Sequence, residues 1–192
     1  MPLTRKKGAV IPKWDDRPFR ILALDPGGTT GWAKCEFIPT GEPITLDDFK
    51  FECGHIGPGE HHLDLWESLF NYYQFDTQSP IEIVCESFEF RQHITQDKEK
   101  TKVELMSKEY IGVVKLFGQV HNIVPTFYTA SAAKQLVPDK GPQANVKLKQ
   151  LGWYKPVTHW VHAMDATRHL LRYMVVSKKI RFPITDRWLA DA

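Results

Sequence analysis

The chain of 192 residues is long enough for one domain with a substantial core, and its 42% hydrophobic content is that of an ordinary globular protein. No apolar run approaches the roughly 20 residues that span a bilayer, and the charged N-terminus lacks the apolar stretch of a secretory signal. Cys35, Cys53 and Cys85 have no CxxC spacing and lie in strand-like runs, so we expect buried thiols rather than a disulfide or zinc framework. These features favour a cytoplasmic protein without a membrane segment.

Charge is distributed unevenly along the chain. Residues 1–20 hold six basic and two acidic residues, a net charge of +4, and residues 129–161 hold five lysines and one aspartate, also +4. Residues 21–86 hold twelve acids and two lysines, a net charge of −10. Acidic and basic segments within one domain suit a metal site beside a surface that binds a polyanion. The alternative is charge that only solvates helix faces.

Strands and helices are predicted from the spacing of apolar residues. Strands are expected over residues 19–24, 31–37, 49–55, 81–87 and 124–128, and helices over 60–75, 103–121, about 129–137, 144–151 and 160–174. The first three strands have short connections and should form an antiparallel meander. The helix before the fourth strand makes that strand parallel to the first.

One domain is expected over residues 19–178, between two terminal segments. Residues 1–18 are predicted to be a flexible basic arm, which either contacts phosphates or only keeps the chain soluble. Residues 179–192 have no strong pattern and are treated as a C-terminal tail.

Two of the predicted parallel strands end in a carboxylate. The first apolar run ends at Asp25, before a Pro-Gly-Gly turn, and the fourth strand ends at Glu86. Because the carboxyl ends of parallel strands meet at one edge of an open α/β sheet, we expect these acids to lie close together. Two buried carboxylates side by side are best explained by a bound cation or a shared proton. The alternative for both acids is a role in capping surface turns.

A histidine and an aspartate stand one helical turn apart near the start of the last predicted helix. His162 and Asp165 share one face, and His169 lies four residues further along that face. A His–Asp pair of this kind can bind a metal and handle a proton. The alternative is that the two residues only favour the helix N-terminus, which suits Asp165 but not a cationic His162.

Aromatic and basic residues flank these candidates in the sequence. Phe88, Phe90 and Arg91 follow the second acid and lead into a charge-dense stretch, residues 91–102, predicted to be a mobile loop. The rings are available to stack on bases and the guanidinium to contact a phosphate, although one of the two rings is expected in the core. Further along, lysines interleave with aromatic residues and form a candidate phosphate-contacting surface. These lysines are Lys134, Lys140, Lys147, Lys149 and Lys155.

The predicted helix over residues 103–121 carries an apolar stripe at alternating spacings of four and three residues. A stripe of this kind is usual for core packing, and part of it could serve a subunit interface. Its members are Met106, Tyr110, Val113, Phe117 and Val120.

Several segments resemble one nuclease family. The opening Ile-Leu-Ala-Leu-Asp-Pro-Gly-Gly-Thr-Thr-Gly-Trp-Ala resembles the first strand and hairpin of RuvC-type Holliday junction resolvases. Val84-Cys-Glu86 resembles the second acidic strand, residues 129–151 the lysine-bearing segment, and His162-Ala-Met-Asp165-Ala the C-terminal metal motif. The resemblance runs in the same order over residues 19–176. It implies an α/β, ribonuclease H-like fold with a five-stranded mixed sheet flanked by helices.

The resemblance also implies an Mg²⁺-dependent endonuclease that cuts Holliday junctions and related branched DNA. Asp25, Glu86 and Asp165, with His162 as ligand or proton handler, would hold two Mg²⁺ or Mn²⁺ ions per active site for phosphodiester hydrolysis. His162 stands where the family often has an acid. Symmetric nicking of a four-way junction needs paired sites, which implies a homodimer. The basic arm and charge-rich loop differ from a minimal bacterial member and favour a bacteriophage version that acts in the host cytoplasm.

Other functions compete with this one. A fork- or flap-cutting nuclease, even a monomeric one, would carry the same four residues. The Asp-Pro-Gly-Gly-Thr-Thr-Gly turn also resembles the phosphate-binding hairpin of actin-like and sugar-kinase-like ATPases. Those proteins clamp ATP between two such domains, for which 192 residues are too few. A catalytically inactive DNA-binding scaffold is opposed by four candidate ligands in the family order.

Overall fold

The computed structural model describes residues 17–38, 46–57, 61–74, 79–88, 98–156, 160–178 and 180. The predictions for the basic arm up to residue 16, the loop over residues 91–97 and the tail from residue 181 lie outside these ranges. No described helix is both long enough and apolar enough to cross a membrane.

A five-stranded mixed sheet forms the centre of the fold. Its strands are β1 (Phe19–Asp25), β2 (Thr30–Phe37), β3 (Lys50–Ile56), β4 (Ile81–Ser87) and β5 (Thr126–Thr129). They lie in the order β3-β2-β1-β4-β5. The pairs β1–β2 and β2–β3 are antiparallel, and the pairs β1–β4 and β4–β5 are parallel. The predicted meander and the parallel fourth strand are therefore confirmed.

Helices cover both faces of this sheet. They are α1 (His61–Gln74), α2 (Lys98–His121), α3 (Ala130–Leu136), α4 (Val146–Gln150) and α5 (Val161–Arg172), with a 3-10 turn at Leu46–Asp48 and a π-helical turn at Tyr173–Ser177. The hydroxyl of Thr129 accepts a hydrogen bond from the backbone N–H of Ala132 at 3.3 Å and so caps α3.

Side chains of β1 alternate between two hydrophobic cores. Leu22 and Leu24 pack in the core formed with α1 and α2. Ile21 and Ala23 pack in the core formed with α3, α4 and α5. A strand covered on both faces needs apolar residues at every position, which explains the unbroken apolar run before Asp25. The three cysteines are free and buried in these cores, as predicted.

Three predicted boundaries are wrong. The last strand begins at Thr126 rather than at residue 124, because Pro125 has no N–H for the strand ladder and Val124 is 91% exposed. The α4 helix begins at Val146 because Asn145 adopts a left-handed conformation, with φ of 58°. The α2 helix begins at Lys98, so residues 98–102 are helical and do not belong to the predicted loop.

The apolar stripe of α2 is only partly buried. Tyr110 and Phe117 are buried as predicted, and Val114 completes the buried face at helical spacing. Val120 lies at the edge of that face and is 56% exposed, so it is not in the core and belongs to the part of the stripe for which a subunit interface was the alternative. Part of the stripe is therefore left on the surface.

Candidate active site

The two parallel strands β1 and β4 bring an acid each to the same edge of the sheet. Leu24 and Cys85 are opposite each other in the parallel register, and Asp25 and Glu86 each follow by one residue. Leu24 and Cys85 both belong to the core with α1 and α2. Since successive side chains of a strand point to opposite faces, both acids lie on the face that α5 covers.

The α5 helix can approach this edge closely because Gly31 has no side chain. A Cβ atom at Gly31 would lie 2.0 Å from the carbonyl oxygen of His162 and 2.7 Å from the backbone nitrogen of Ala163. Gly31 is also the register partner of Asp25 in the antiparallel β1–β2 pair. The first turn of α5 therefore lies against the β2 backbone next to Asp25.

This approach joins His162 to Asp25. Nδ1 of His162 lies 2.9 Å from Oδ2 of Asp25, at hydrogen-bond distance. Burial raises the pKa of Asp25, the hydrogen bond from His162 opposes that rise, and the negative charges of Glu86 and Asp165 add to it. The hydrogen bond to Asp25 also raises the pKa of His162, against the effect of partial burial. The pair therefore holds a proton more readily than either side chain does in water.

Glu86 is held by a second histidine of the same helix. Nε2 of His169 lies 2.8 Å from Oε2 of Glu86, and the His169 side chain is only 1% exposed. His169 stands seven residues after His162, two turns along the same face of α5. Its contact with Glu86 links the middle of α5 to the end of β4.

Asp165 is held by a buried arginine. Nη1 of Arg168 donates to Oδ1 of Asp165 at 2.6 Å, and Nη2 donates to the side-chain oxygen of Asn145. Nζ of Lys134 lies 3.9 Å from the same Asp165 oxygen and 2.8 Å from Asp139. Partial burial lowers the pKa of Lys134, but the hydrogen bond and charge of Asp139 and the charge of Asp165 together outweigh it, so the pKa is raised.

The α5 helix thus carries one basic partner for each acid of the site. His162 contacts Asp25, Arg168 contacts Asp165 and His169 contacts Glu86. In each acid, one carboxylate oxygen makes these contacts and the other has no hydrogen-bond partner among the described residues. These three oxygens belong to side chains that are between 11% and 22% exposed, and they are ligand atoms that suit a hard divalent cation.

The candidate metal ligands of the described residues do not form a compact cluster. Within the described ranges, no three His, Cys, Asp or Glu side chains stand close enough together to hold a metal ion. The carboxylate oxygens of Asp25, Glu86 and Asp165 are of the ligand type that fits Mg²⁺ or Mn²⁺.

The residues predicted to contact DNA fall into three groups. Phe88 is half-buried and packs against the core with α1 and α2, as expected for one ring of the aromatic pair. Phe90 and Arg91 lie outside the described residues. Four of the five lysines belong to the segment from α3 to α4, where Lys134 lies beside Asp165, and Lys155 is exposed just after that segment. Of the others, Lys140 and Lys149 are exposed and Lys147 is half-buried.

Sequence reasoning missed the partners of the acids. His169 is recognised as lying on the same helix face as His162, but nothing in the sequence indicates its contact with Glu86. The contact of Arg168 with Asp165 could have been inferred, because an arginine three residues after an aspartate on a helix can pair with it. The contact of Asn145 could not be inferred, since it depends on a left-handed backbone conformation that the surrounding sequence does not predict.

Neither a protein-family model nor a curated protein matches this sequence. Among solved structures, the chain is similar to Thermus thermophilus RuvC in complex with Holliday junction substrate, with a TM-score of 0.60 and 12% sequence identity over 84% of this chain and 96% of that chain. A second structure of Thermus thermophilus RuvC matches with a TM-score of 0.53 and 15% identity, over 86% of this chain and 100% of that one. The predicted ribonuclease H-like architecture is confirmed, and the chain has a RuvC-like fold.

Proposed function

We propose that this protein is a metal-dependent endonuclease that hydrolyses phosphodiester bonds in branched DNA, with the Holliday junction as its preferred substrate. One observation carries the proposal: Asp25, Glu86, His162 and Asp165 gather on one face of the sheet, at the carboxyl ends of β1 and β4. The fold shared with a RuvC that was solved on a Holliday junction substrate supports the choice of DNA. The fold alone does not define the reaction, so the site carries the argument.

The three acids and His162 are the residues that would hold the metal. Divalent cations at such a site supply Lewis-acid activation of water and of the scissile phosphate. The protein supplies the rest: the acids provide the oxygen ligands, and α5 fixes the acids in place. His162 lies within hydrogen-bond distance of Asp25, so it is placed to hold or pass a proton during hydrolysis.

The segment from α3 to α4 is the proposed surface for the DNA backbone. It is attached to the site at two points, through the Lys134 contact with Asp165 and the Asn145 contact with Arg168. Lys140 and Lys149 are exposed on this segment and can each neutralise a phosphate close to the acids. Phosphate contacts of this kind position the DNA and do not read its sequence.

A homodimer is part of the proposal, and α2 provides a candidate interface. Leu105, Leu116 and Val120 are between 52% and 56% exposed on this helix, and a Cβ atom at Gly112 would meet nothing within 4 Å. These residues recur at helical spacing on one side of α2, where Glu109 is also exposed, and they form a mainly apolar strip with room for a partner helix. Two copies joined through α2 would supply the two active sites that symmetric nicking needs.

Cleavage assays with the full chain test the proposal. The substrates are a mobile four-way junction, a fork, a flap and a linear duplex, each with Mg²⁺, with Mn²⁺ and with excess EDTA. We expect paired symmetric nicks in the junction that require the metal. Asp25→Asn should abolish cleavage and leave junction binding in EDTA intact. Cleavage that persists in EDTA or in Asp25→Asn would refute the metal site, and a preference for forks or flaps would favour the fork-cutting alternative.

A further inference from the structure

We infer that His169 is a positioning residue for Glu86: it fixes the Glu86 carboxylate so that one oxygen stays available to a divalent cation. The inference rests on the proposed function, because it assigns Glu86 a metal-binding role. As a positioning residue, His169 itself contacts neither metal nor substrate. Its part is to reduce the number of conformations open to Glu86.

The geometry of the pair supports this role. The 2.8 Å contact joins Nε2 of His169 to Oε2 of Glu86 and leaves Oε1 without a hydrogen-bond partner among the described residues. Carboxylates that bind metals are commonly held in this way, with one oxygen hydrogen-bonded to a neighbour. The Glu86 side chain is 22% exposed, so a cation can reach it, whereas His169 is almost completely buried.

The second nitrogen of His169 shows that the residue is not there for packing alone. Nδ1 is buried and has no hydrogen-bond partner in the part of the chain that the structure describes. A buried ring nitrogen without a partner destabilises the folded protein, and a leucine at this buried position would avoid that penalty. Ala166, one turn earlier on the same face of α5, is fully buried, so aliphatic side chains are accepted beside this position. The Nε2 contact with Glu86 is therefore the property that distinguishes histidine from leucine here.

The pair His169→Leu and His169→Gln tests the inference, because Gln can place an N–H donor near the Nε2 position and Leu cannot. Mn²⁺ affinity is measured directly by calorimetry, and junction cleavage is measured as a function of Mn²⁺ concentration. We expect His169→Leu to weaken Mn²⁺ binding and slow cleavage by about 10- to 100-fold. Its melting temperature should stay equal or rise, and its junction affinity in EDTA should not change. His169→Gln should recover most of the Mn²⁺ affinity.

His121 provides a matched control. Its ring is packed among Phe117, Tyr73 and other aromatic residues, and its Nε2 is likewise buried without a partner among the described residues. It lies in the layer of α1 and α2, on the opposite face of the sheet from Glu86. His121→Leu should therefore leave Mn²⁺ affinity and cleavage at wild-type values.

Several outcomes would overturn the inference. Equal Mn²⁺ affinity in wild type and His169→Leu would remove the positioning role. Equal losses in the Leu and Gln variants, accompanied by a lower melting temperature, would make His169 a structural residue. A wild-type protein that binds Mn²⁺ but cuts no DNA would refute the proposed function, while the binding data would still decide the role of His169. A wild type that binds no Mn²⁺ would refute both.

Discussion

Arg168 donates a 2.6 Å hydrogen bond to Asp165 and, with its other terminal nitrogen, a hydrogen bond to Asn145. The Arg168 side chain is 4% exposed, so its hydrogen bonds to these two acceptors offset the cost of burying its charge. The contact with Asn145 ties the start of α4 to the middle of α5. One side chain therefore holds both a site acid and the segment that carries the lysines.

Replacing Arg168 should destabilise the fold and separate these two roles. Arg168→Met keeps much of the volume but removes the cation that is hydrogen-bonded to Asp165, and we expect a loss of about 3 kcal/mol in the free energy of unfolding. Asn145→Ala should cost less, about 1–2 kcal/mol, because it leaves one buried donor without an acceptor. Urea unfolding of both single variants and the double variant gives the coupling energy. Independent effects, with no coupling, would show that the Arg168–Asn145 contact is not significant in solution.

The Asp25–His162 pair predicts how stability depends on pH when no metal is bound. The folded-state pKa of His162 is raised by its hydrogen bond to Asp25. The contribution of protonated His162 to stability is therefore fully present below its pKa of about 6.5 in the unfolded chain. It is lost as the pH rises through the pKa of His162 in the folded protein. His162→Gln keeps a donor but cannot take a proton, so it should be less stable than wild type at low pH and approach it at high pH. The two proteins should differ by less than about 1 kcal/mol in the free energy of unfolding, because the His162 side chain is 44% exposed.

Urea unfolding in EDTA from about pH 5.5 to 9 measures this difference. EDTA is needed because a bound cation would change the protonation of both side chains. A difference that is constant with pH, or that grows as the pH rises, would contradict the assigned direction of the His162 shift.

Gly31 should not tolerate a side chain. The added Cβ of Gly31→Ala would lie 2.0 Å from the His162 carbonyl oxygen, a backbone atom that cannot move without α5. We expect a loss of at least about 1–3 kcal/mol in stability, since overpacking of a rigid contact costs this much. Cleavage should fall as well, because His162 would move away from Asp25. Thermal unfolding and junction cleavage measure the two effects.

Gly28→Ala is the control for that variant, in the same hairpin. A Cβ atom at Gly28 would meet nothing within 4 Å. Its stability should stay within about 0.5 kcal/mol of wild type. Equal damage from the two substitutions would mean that the hairpin as a whole, and not the approach of α5 to Gly31, is sensitive.

The parts of the site that depend on local pattern could be predicted from the sequence. Asp25 and Glu86 were found because each ends an apolar run, and strand direction then fixes the edge at which they meet. His162 and Asp165 were found because helical spacing places them on one face. These inferences use only neighbours in the chain and the rules of strand connection.

The contacts between distant elements could not be predicted in this way. His169 and Glu86 are 83 residues apart, and a periodic pattern on α5 does not specify what lies opposite it. Asn145 departs from the helical pattern around it because its side chain meets Arg168 while its backbone turns to the left-handed region. The rotation of α2, which leaves Val120 exposed, is set by packing against α1 and the sheet.

The exposed strip on α2 predicts the effect of a charge at the candidate dimer interface. Leu116→Glu should convert a dimer to a monomer, because a carboxylate would be buried against the apolar residues of the partner helix. Sedimentation velocity measures the change, and paired nicking of a junction should become single nicking. Leu63→Glu is the matched control, since Leu63 is also 53% exposed but lies on α1. A monomeric wild type, or a Leu116→Glu variant that remains dimeric, would exclude α2 as the interface.

The lysine-bearing segment predicts a specific dependence of DNA binding on salt. Lys149 is exposed, and its ammonium lies 5.1 Å from the centre of the Tyr154 ring, which limits its range of positions. If it neutralises one phosphate, Lys149→Gln should weaken junction binding about equally for all sequences and reduce the slope of log affinity against log salt by about 1. Binding is measured in EDTA over a range of salt concentrations, so that cleavage does not interfere.

Lys50→Gln separates a phosphate contact from a general change in net charge. Lys50 is 81% exposed, but it lies on β3 and pairs with Glu36, on the sheet face that carries α1. Both substitutions remove one positive charge, so both lower the long-range attraction to DNA to a similar degree. A variant that loses a phosphate contact releases one counterion fewer when it binds DNA. Only such a variant therefore has a smaller slope of log affinity against log salt. Equal slopes for the two variants would therefore remove Lys149 from the DNA interface, whereas a reduced slope for Lys149→Gln alone would place the DNA backbone beside α4.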